Sequence, residues 1–230
     1  MSAGPALKLR KSDLLKVYRR LLKAYGCQHW WPADSPFEVM VGAILTQNTA
    51  WPNVEKAIAN LKQARLLSPE LLASASHDQV AELIRPSGYF NIKAQRLQVF
   101  CRFLVERGGE LVLQQEETDN LRHDLLAVHG VGPETADDML LYAFERPVFV
   151  IDAYTRRIFS RLGMIAGDEP YELLRQGIEV ALGPDVQVFN EYHALIVRHA
   201  KEACIKKPRC AECCLADGCE EGGRYFGQEP

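Results

Sequence analysis

The stretch Leu125-Leu-Ala-Val-His-Gly-Val-Gly-Pro-Glu-Thr-Ala-Asp-Asp-Met139 decides how this chain folds. Leu121, Leu125 and Val128 recur at helical spacing, and Gly130-Val-Gly132 then forces a tight turn. Pro133 suits the first position of a new helix, where its missing N–H has no partner to lose. Ala136, Met139, Leu140, Ala143 and Phe144 follow at i, i+3, i+4, i+7 and i+8, one apolar face of that helix. The pattern predicts helix, glycine hairpin, helix over about 121–144. Gly130, Val131 and Gly132 offer backbone N–H groups beside a helix N-terminus, where an anion such as a nucleic-acid phosphate can be held.

A glycine turn between helices serves packing as readily as binding, so the residues after it matter. Val150-Ile-Asp152-Ala-Tyr154 follows the second hairpin helix. Together these segments resemble the helix-hairpin-helix signature of the endonuclease III superfamily of DNA glycosylases (HhH-GPD), and the resemblance runs from about Ser35 to Cys219. In that family an aspartate after the hairpin is catalytic, and Asp152 stands at its place. The resemblance implies an all-α, two-lobed fold. Residues 33–146 would form a six-helix barrel containing the hairpin, and residues 1–32 and 147–230 a second helical lobe. Damaged double-stranded DNA would lie across the cleft between the lobes, facing Asp152, with the protein acting as a monomer.

Composition is ordinary for a globular chain, with hydrophobic residues at 47% and charged residues at 25%. No apolar run reaches the roughly 18 residues of a membrane span. Met1-Ser-Ala-Gly-Pro-Ala-Leu-Lys8 lacks the apolar core of a signal peptide, so the expectation is a cytoplasmic protein, nucleoid-associated in a prokaryote. The net charge of −3 does not advertise a nucleic-acid binder, but binding needs a basic face rather than a basic average. Seven Lys or Arg lie between Lys8 and Lys23 against Asp13 alone, and Lys201, Lys206, Lys207 and Arg209 stand against Glu202.

Periodicity predicts helices along the rest of the chain. Leu14, Tyr18, Leu21, Leu22 and Tyr25 share one face of a helix ending near Gly26. Ser35-Pro-Phe-Glu38 has the form of a capping box, and Ser68 and Ser76 each start short helices. Val54, Ala57, Ile58 and Leu61 mark another helix, and so do Leu97, Cys101 and Leu104 before Gly108-Gly109. Val148-Phe-Val-Ile151 is strand-like but too short and isolated to build a sheet. Helices beginning at Asp152, over Tyr171–Leu182 and over Gln187–Cys204 complete the chain.

Four of the seven cysteines form Cys204-x5-Cys210-x2-Cys213-x5-Cys219. Without an export signal this spacing argues for a cofactor rather than disulfides. The thiolates suit a [4Fe–4S] cluster or a tetrahedral zinc equally well on spacing alone. The family resemblance implies iron–sulfur, although its usual first gap is six residues rather than five, and Cys214 makes the third ligand ambiguous. The resemblance also gives Ile205-Lys206-Lys207-Pro-Arg209 as a basic loop that meets DNA phosphate, Gln47 as the polar residue filling the gap left by an extruded base, and Asn48 as a DNA-binding neighbour.

Cleaving an N-glycosidic bond builds positive charge on the sugar, which a buried ionised carboxylate stabilises while it orients or deprotonates a water. On residue type alone Asp152 reads first as a helix N-cap; the hairpin upstream at the family's spacing implies the catalytic role, and the two roles can coexist. Bifunctional members of the family, which also cut the DNA backbone, place a Schiff-base lysine two residues after the second hairpin glycine. Here that position is Glu134, and a carboxylate forms no imine. The expectation is therefore a monofunctional DNA glycosylase of base excision repair.

Trp30-Trp31-Pro32, Leu45-Thr-Gln-Asn-Thr49, Arg85-Pro-Ser-Gly88 with Asn91 and Lys93, the aromatic at Trp51 and the Glu at 134 resemble the 3-methyladenine DNA glycosylase branch related to endonuclease III. That branch implies Trp31 and Trp51 as walls of the base pocket, Trp30 and Pro32 beside them, and Lys201 lining it. Aromatic faces suit an N3-alkylated purine, whose base is cationic. The cysteines depart from that branch and make the chain look intermediate. Two other readings remain: an endonuclease III-like glycosylase/lyase acting on oxidised pyrimidines through a different lysine, and a non-catalytic lesion binder.

Overall fold

The computed structural model describes residues 9–226. The reading of Met1–Lys8 as lacking a signal-peptide core, and the place of Lys8 in the basic tract, lie outside the described residues. Among the described residues every regular element is helical, so the all-α expectation holds. None of these helices is long and apolar enough to cross a membrane.

In chain order the helices are α1 (Lys11–Tyr25), α2 (Pro36–Leu45), α3 (Trp51–Gln63), α4 (Pro69–Ser74), α5 (His77–Leu83), α6 (Phe90–Glu106), α7 (Glu110–Leu113), α8 (Thr118–Ala127) and α9 (Pro133–Asp138). After these come α10 (Ala153–Arg161), α11 (Tyr171–Leu182), α12 (Val186–Glu202) and α13 (Glu220–Phe226). They form two compact units, residues 31–146 and residues 1–30 with 147–230. The division falls between Trp30 and Trp31 and assigns the adjacent tryptophans to different units.

The unit of residues 31–146 is built on α2. Its residues Phe37–Leu45 are all buried, as an all-round apolar helix requires. Ser35 caps it, its hydroxyl accepting from the Glu38 N–H at 3.2 Å. Glu38 completes the start differently from the expected box: its carboxylate accepts the Asp34 N–H at 3.1 Å and meets Lys62 Nζ at 2.7 Å. Helices α3, α6 and α9 pack on α2, and α4 and α5 pack on α6. Lys93 of α6, only 1% exposed, donates to Leu45 O at 2.7 Å, Thr49 Oγ1 at 2.6 Å and Ser87 O at 2.8 Å. Three N–H groups meet three oxygens, which joins the end of α2, the loop after it and the turn before α6.

The hairpin's second helix departs from expectation in one respect. It is α-helical only to Asp138, and Met139–Ala143 winds as a π-turn, with Phe144 N–H reaching Met139 O at 3.0 Å. The apolar positions suit either winding. Short π segments inside α-helices gather at functional sites.

The second unit is built on α12, against which α1 and α10 pack. Tyr192 on α12 is fully buried, donates its hydroxyl to Leu14 O at 2.9 Å, and lies within about a ring's width of Tyr18, Phe149 and Phe159. Burying such a ring contributes about 1.5–3 kcal/mol. Val148–Ile151 is buried and extended without a partner strand. Its amides find side chains of α11 instead: Phe149 N–H donates to Glu179 Oε1 at 2.9 Å and Ile151 N–H to Tyr171 Oη at 3.4 Å.

Candidate functional site

The hairpin is held from both sides. Across the turn, Arg122 of α8 grips Asp137 of α9 with a two-pronged bond, Nε to Oδ1 at 2.7 Å and Nη2 to Oδ2 at 3.2 Å. Gly130 takes φ +93°, a left-handed conformation natural to glycine. Val131 turns its side chain inward and donates its N–H to Val128 O at 3.0 Å, so that amide serves the hairpin itself. Gly132 is the N-cap of α9 and is exposed together with Pro133 and Glu134. Gln47, in the turn after α2, donates Nε2 to Gly130 O and to Thr135 Oγ1, each at 3.0 Å, while its Oε1 accepts from Arg96. Gln47, Gly130 and the hairpin are thus one assembly. Asn48 beside it sits at φ +53°, a conformation asparagine tolerates better than most residues.

Within the same unit Trp31, Trp51 and Tyr142 make a three-ring cluster. Trp31 meets Trp51 edge to face at 5.3 Å between centroids and lies 5.3 Å from Tyr142. Trp31 also packs on Gly42 of α2, where an added Cβ would come within 3.2 Å of the indole. The two tryptophans are not parallel plates, so a base can stack on one of their faces but not between them. Pro32 is exposed, and Trp30 belongs to the other unit.

In that other unit Asp152 is the N-cap of α10. Its Oδ1 accepts the Thr155 N–H at 2.6 Å, and its Oδ2 lies 3.6 Å from His193 Nε2 on α12. Both side chains are buried, with residue exposures of 8% and 5%. Burial pushes the Asp152 carboxyl up, but His193 and the Thr155 amide outweigh it and hold the group below the ordinary carboxylate range. Lys201, also on α12, is an exposed residue whose pKa is lowered by partial desolvation and raised in part by the charge of Asp152.

The four cysteines follow α12. Cys204 lies just beyond its end, Cys210 opens a 3-10 turn, and Cys219 precedes α13. Arg161 organises the loop, donating to Cys204 Sγ at 3.2 Å, Ile205 O at 2.7 Å and Lys206 O at 2.9 Å, while its own carbonyl lies 3.2 Å from Cys219 Sγ. Lys206, Lys207 and Arg209 are exposed along this loop. Cys213 Sγ receives the Leu215 N–H at 3.4 Å and lies 3.5 Å from His199 Nε2, whose Nδ1 is 2.8 Å from the Tyr25 hydroxyl. Burial lowers His199 to about 4, so the ring is neutral near pH 7. Burial raises Cys213 to about 11, with Cys214, Cys204 and Cys219 adding to the rise, and Cys210 is raised by burial and then by Cys219. These thiols therefore lie within electrostatic reach of one another. Among the described residues no three His, Cys, Asp or Glu side chains converge on the position of a single metal ion.

Set beside known proteins, residues 41–184 match the HhH-GPD superfamily base excision DNA repair protein family. The chain belongs to this family. The HhH-GPD chain is 46% identical over 217 residues to a Methanocaldococcus jannaschii protein provisionally named DNA repair glycosylase MJ1434, covering 93% of this chain and 99% of that one. Endonuclease III of Thermotoga maritima is 30% identical over 206 residues, 89% of this chain and 91% of the relative. Among solved structures, the H. pylori 3-methyladenine DNA glycosylase MagIII, bound to 1,N6-ethenoadenine, is 30% identical with a TM-score of 0.73, covering 84% of this chain and 98% of that one. An endonuclease III–DNA complex has a TM-score of 0.82 over 96% of this chain and all of its own, at 21% identity, which establishes the common fold. The HhH-GPD chain is a DNA glycosylase of base excision repair.

Sequence reasoning assigned no role to His193, Arg96 or Tyr142. His193 had a signal, a lone ring inside the apolar run Tyr192–Ile196. Arg96 and Tyr142 had none, because each matters through a partner distant in sequence.

Proposed function

We propose that this glycosylase is monofunctional and removes an alkylated purine of the 3-methyladenine type from damaged double-stranded DNA. The contrast between two carboxylates carries the reading. Asp152 is buried yet kept ionised, and Glu134 is exposed where a bifunctional enzyme needs a lysine.

Once the damaged nucleotide is flipped out, the leaving base takes the glycosidic electron pair and C1′ becomes electron-poor. The negative charge of Asp152 stabilises that centre, and its carboxylate orients the attacking water. A cationic alkylpurine leaves readily, so the protein's task is selection. Trp31, Trp51 and Tyr142 offer aromatic faces that attract a positively charged ring, with Pro32 in the same unit, and Trp30 and Lys201 are the residues this reading assigns to the base in the other unit. Gly130 and Gly132 of the hairpin and, in the other unit, Lys206, Lys207 and Arg209 hold backbone phosphate, while Gln47 and Asn48 meet the gap left by the base; the Val131 amide is already spent on Val128 O. The 30% identity to MagIII supports the alkylpurine assignment.

Cys204, Cys210, Cys213 and Cys219 fit a [4Fe–4S] cluster. Their thiols influence one another without converging on one point, and N–H groups of Arg161 and Leu215 reach two of the sulfurs. Cys204, Cys210, Cys213 and Cys219 would hold the cluster, which when bound would cross-link residues 204–219, and Arg161 holds the basic loop beside it.

One observation favours a second reading, an endonuclease III-like lyase. Lys201 carries an amine with a lowered pKa in the field of Asp152, as an imine-forming lysine requires. Borohydride reduction during incubation with abasic duplex separates the two. The monofunctional reading predicts no covalent protein–DNA adduct, whereas an adduct lost in Lys201→Ala would establish the lyase.

A further inference from the structure

We propose that His193 is the positioning residue for Asp152, fixing the orientation of its carboxylate and keeping it charged at acidic pH. The inference rests on Asp152 being the catalytic carboxylate and assigns its buried neighbour a part in the same reaction.

The geometry divides the two oxygens of Asp152. Oδ1 is committed to the Thr155 N–H at 2.6 Å, and Oδ2 lies 3.6 Å from His193 Nε2. A separation of 3.6 Å is too long for a direct hydrogen bond but within ion-pair range, so His193 in its protonated form acts on Asp152 through charge and contact. Two holds at opposite ends of a carboxylate fix its plane, where the cap bond alone would leave it free to rotate. The histidine also comes from a rigid source: α12 is the central helix of its unit and packs directly on α10.

The electrical surroundings leave His193 few competitors. A carboxylate this buried tends to take up a proton unless it is compensated. Burial is the largest influence on Asp152, and His193 is the largest opposing one, ahead of Thr155. Arg157 of α10 is engaged with Ala200 O and Cys204 O, and Arg156 with Glu169 O. From α1, Tyr18 meets Tyr192 and Tyr25 meets His199. From α11, Tyr171 and Glu179 accept backbone amides of the segment before Asp152. On α12 itself, Glu191 accepts the Gln28 N–H, Arg198 pairs with Glu202, and Lys201 feels the charge of Asp152.

The test compares wild type with His193→Gln and His193→Asn, which keep a polar group but remove the imidazolium charge, and with His193→Phe. Base release is followed under single-turnover conditions from about pH 5 to about pH 8, spanning the range in which histidine titrates. Wild type is expected to keep a flat acid limb. The three variants lose rate as pH falls, approaching tenfold per unit below the raised pKa of Asp152, and recover most of it at the alkaline end. A parallel arm needs no base release: binding of a duplex carrying a cationic pyrrolidine in place of the sugar reads the charge of Asp152 directly. That affinity should weaken on acidification in His193→Asn but not in wild type. If wild type releases no base, the functional reading fails, yet the pyrrolidine arm still decides the role of His193. A loss of equal size at every pH, or profiles that overlay wild type in both arms, overturns the proposal. Because His193→Asn is small and polar, the test does not depend on His193→Phe folding.

Discussion

Gln47 and Gly130 are joined by a 3.0 Å hydrogen bond from the side-chain amide of one to the backbone carbonyl of the other, across 83 residues of sequence. Arg96 holds the remaining end of that amide, and its own side chain covers Gly130. If Gln47 is to enter the space of an extruded base, it must exchange these partners for bases. Arg96→Ala frees Gln47 Oε1 and removes one charge-assisted bond, and the expected cost is about 1.5–3 kcal/mol in urea unfolding. A change below about 0.5 kcal/mol would show that the contact is incidental.

The Arg122–Asp137 pair ties the two hairpin helices together, with Asp137 fully buried and Arg122 12% exposed at the side chain. Asp137→Asn removes the buried charge that the Arg122 guanidinium grips with two bonds and should destabilise the protein by about 3–5 kcal/mol. The double variant Arg122→Met/Asp137→Leu should lose less than Asp137→Asn alone, because the guanidinium is removed together with the carboxylate it grips. Denaturant melts of the two check the order, and the reverse order contradicts this account of the hairpin.

Lys93 makes a comparable prediction for the core beneath. Lys93→Met fills the volume but takes the ammonium donor from the Leu45 carbonyl, a buried loss of about 1–3 kcal/mol, while Ser87 O keeps the Thr49 hydroxyl. The expected result is a lower melting temperature with circular dichroism otherwise unchanged. Wild-type stability in this variant would mean that other donors take over.

Asp152 links activity to stability through pH. Its pKa is lowered in the folded state, so its contribution to stability is present above the unfolded value of about 3.9 and disappears as pH falls through the folded value. The difference in unfolding free energy between wild type and Asp152→Asn should therefore shrink as the pH is taken from neutrality to below about 4. A difference that stays constant over this range would indicate that the carboxylate is not favoured in its ionised form.

For the cysteine loop, the expected wild-type protein is brown and carries iron and sulfide, and Cys210→Ser loses the visible absorption together with affinity for DNA. Elemental analysis settles the alternative directly, since a colourless protein with one zinc per chain would replace the cluster assignment.

Much of the fold could be read before any coordinates, because local chemistry specified it. Ser35, Ser68 and Ser76 cap helices where their positions ahead of apolar periods predict, with the hydroxyls accepting from Glu38, Leu71 and Gln79. Pro133 and the two glycines announce the hairpin, and Asp152 takes the cap position expected of it. What escaped reading depends on winding or on distance. The π-turn at Met139–Ala143 shares its apolar spacing with an ordinary helix. The short helices Glu110–Leu113 and Glu220–Phe226 carry too few residues to show a period. His193 and Asp152 are 41 residues apart, and no spacing rule connects a cap residue to a ring in the middle of another helix.

The central claim is tested most directly by incubating the purified protein with methylated duplex DNA and measuring free base and strand scission separately. The account predicts release of 3-methyladenine by wild type without nicking, and at least hundredfold slower release by a folded Asp152→Asn, on the order of the loss when a key electrostatic group is removed. Nicking at abasic or oxidised-pyrimidine sites with no release of alkylated base would contradict it and place the enzyme among the lyases.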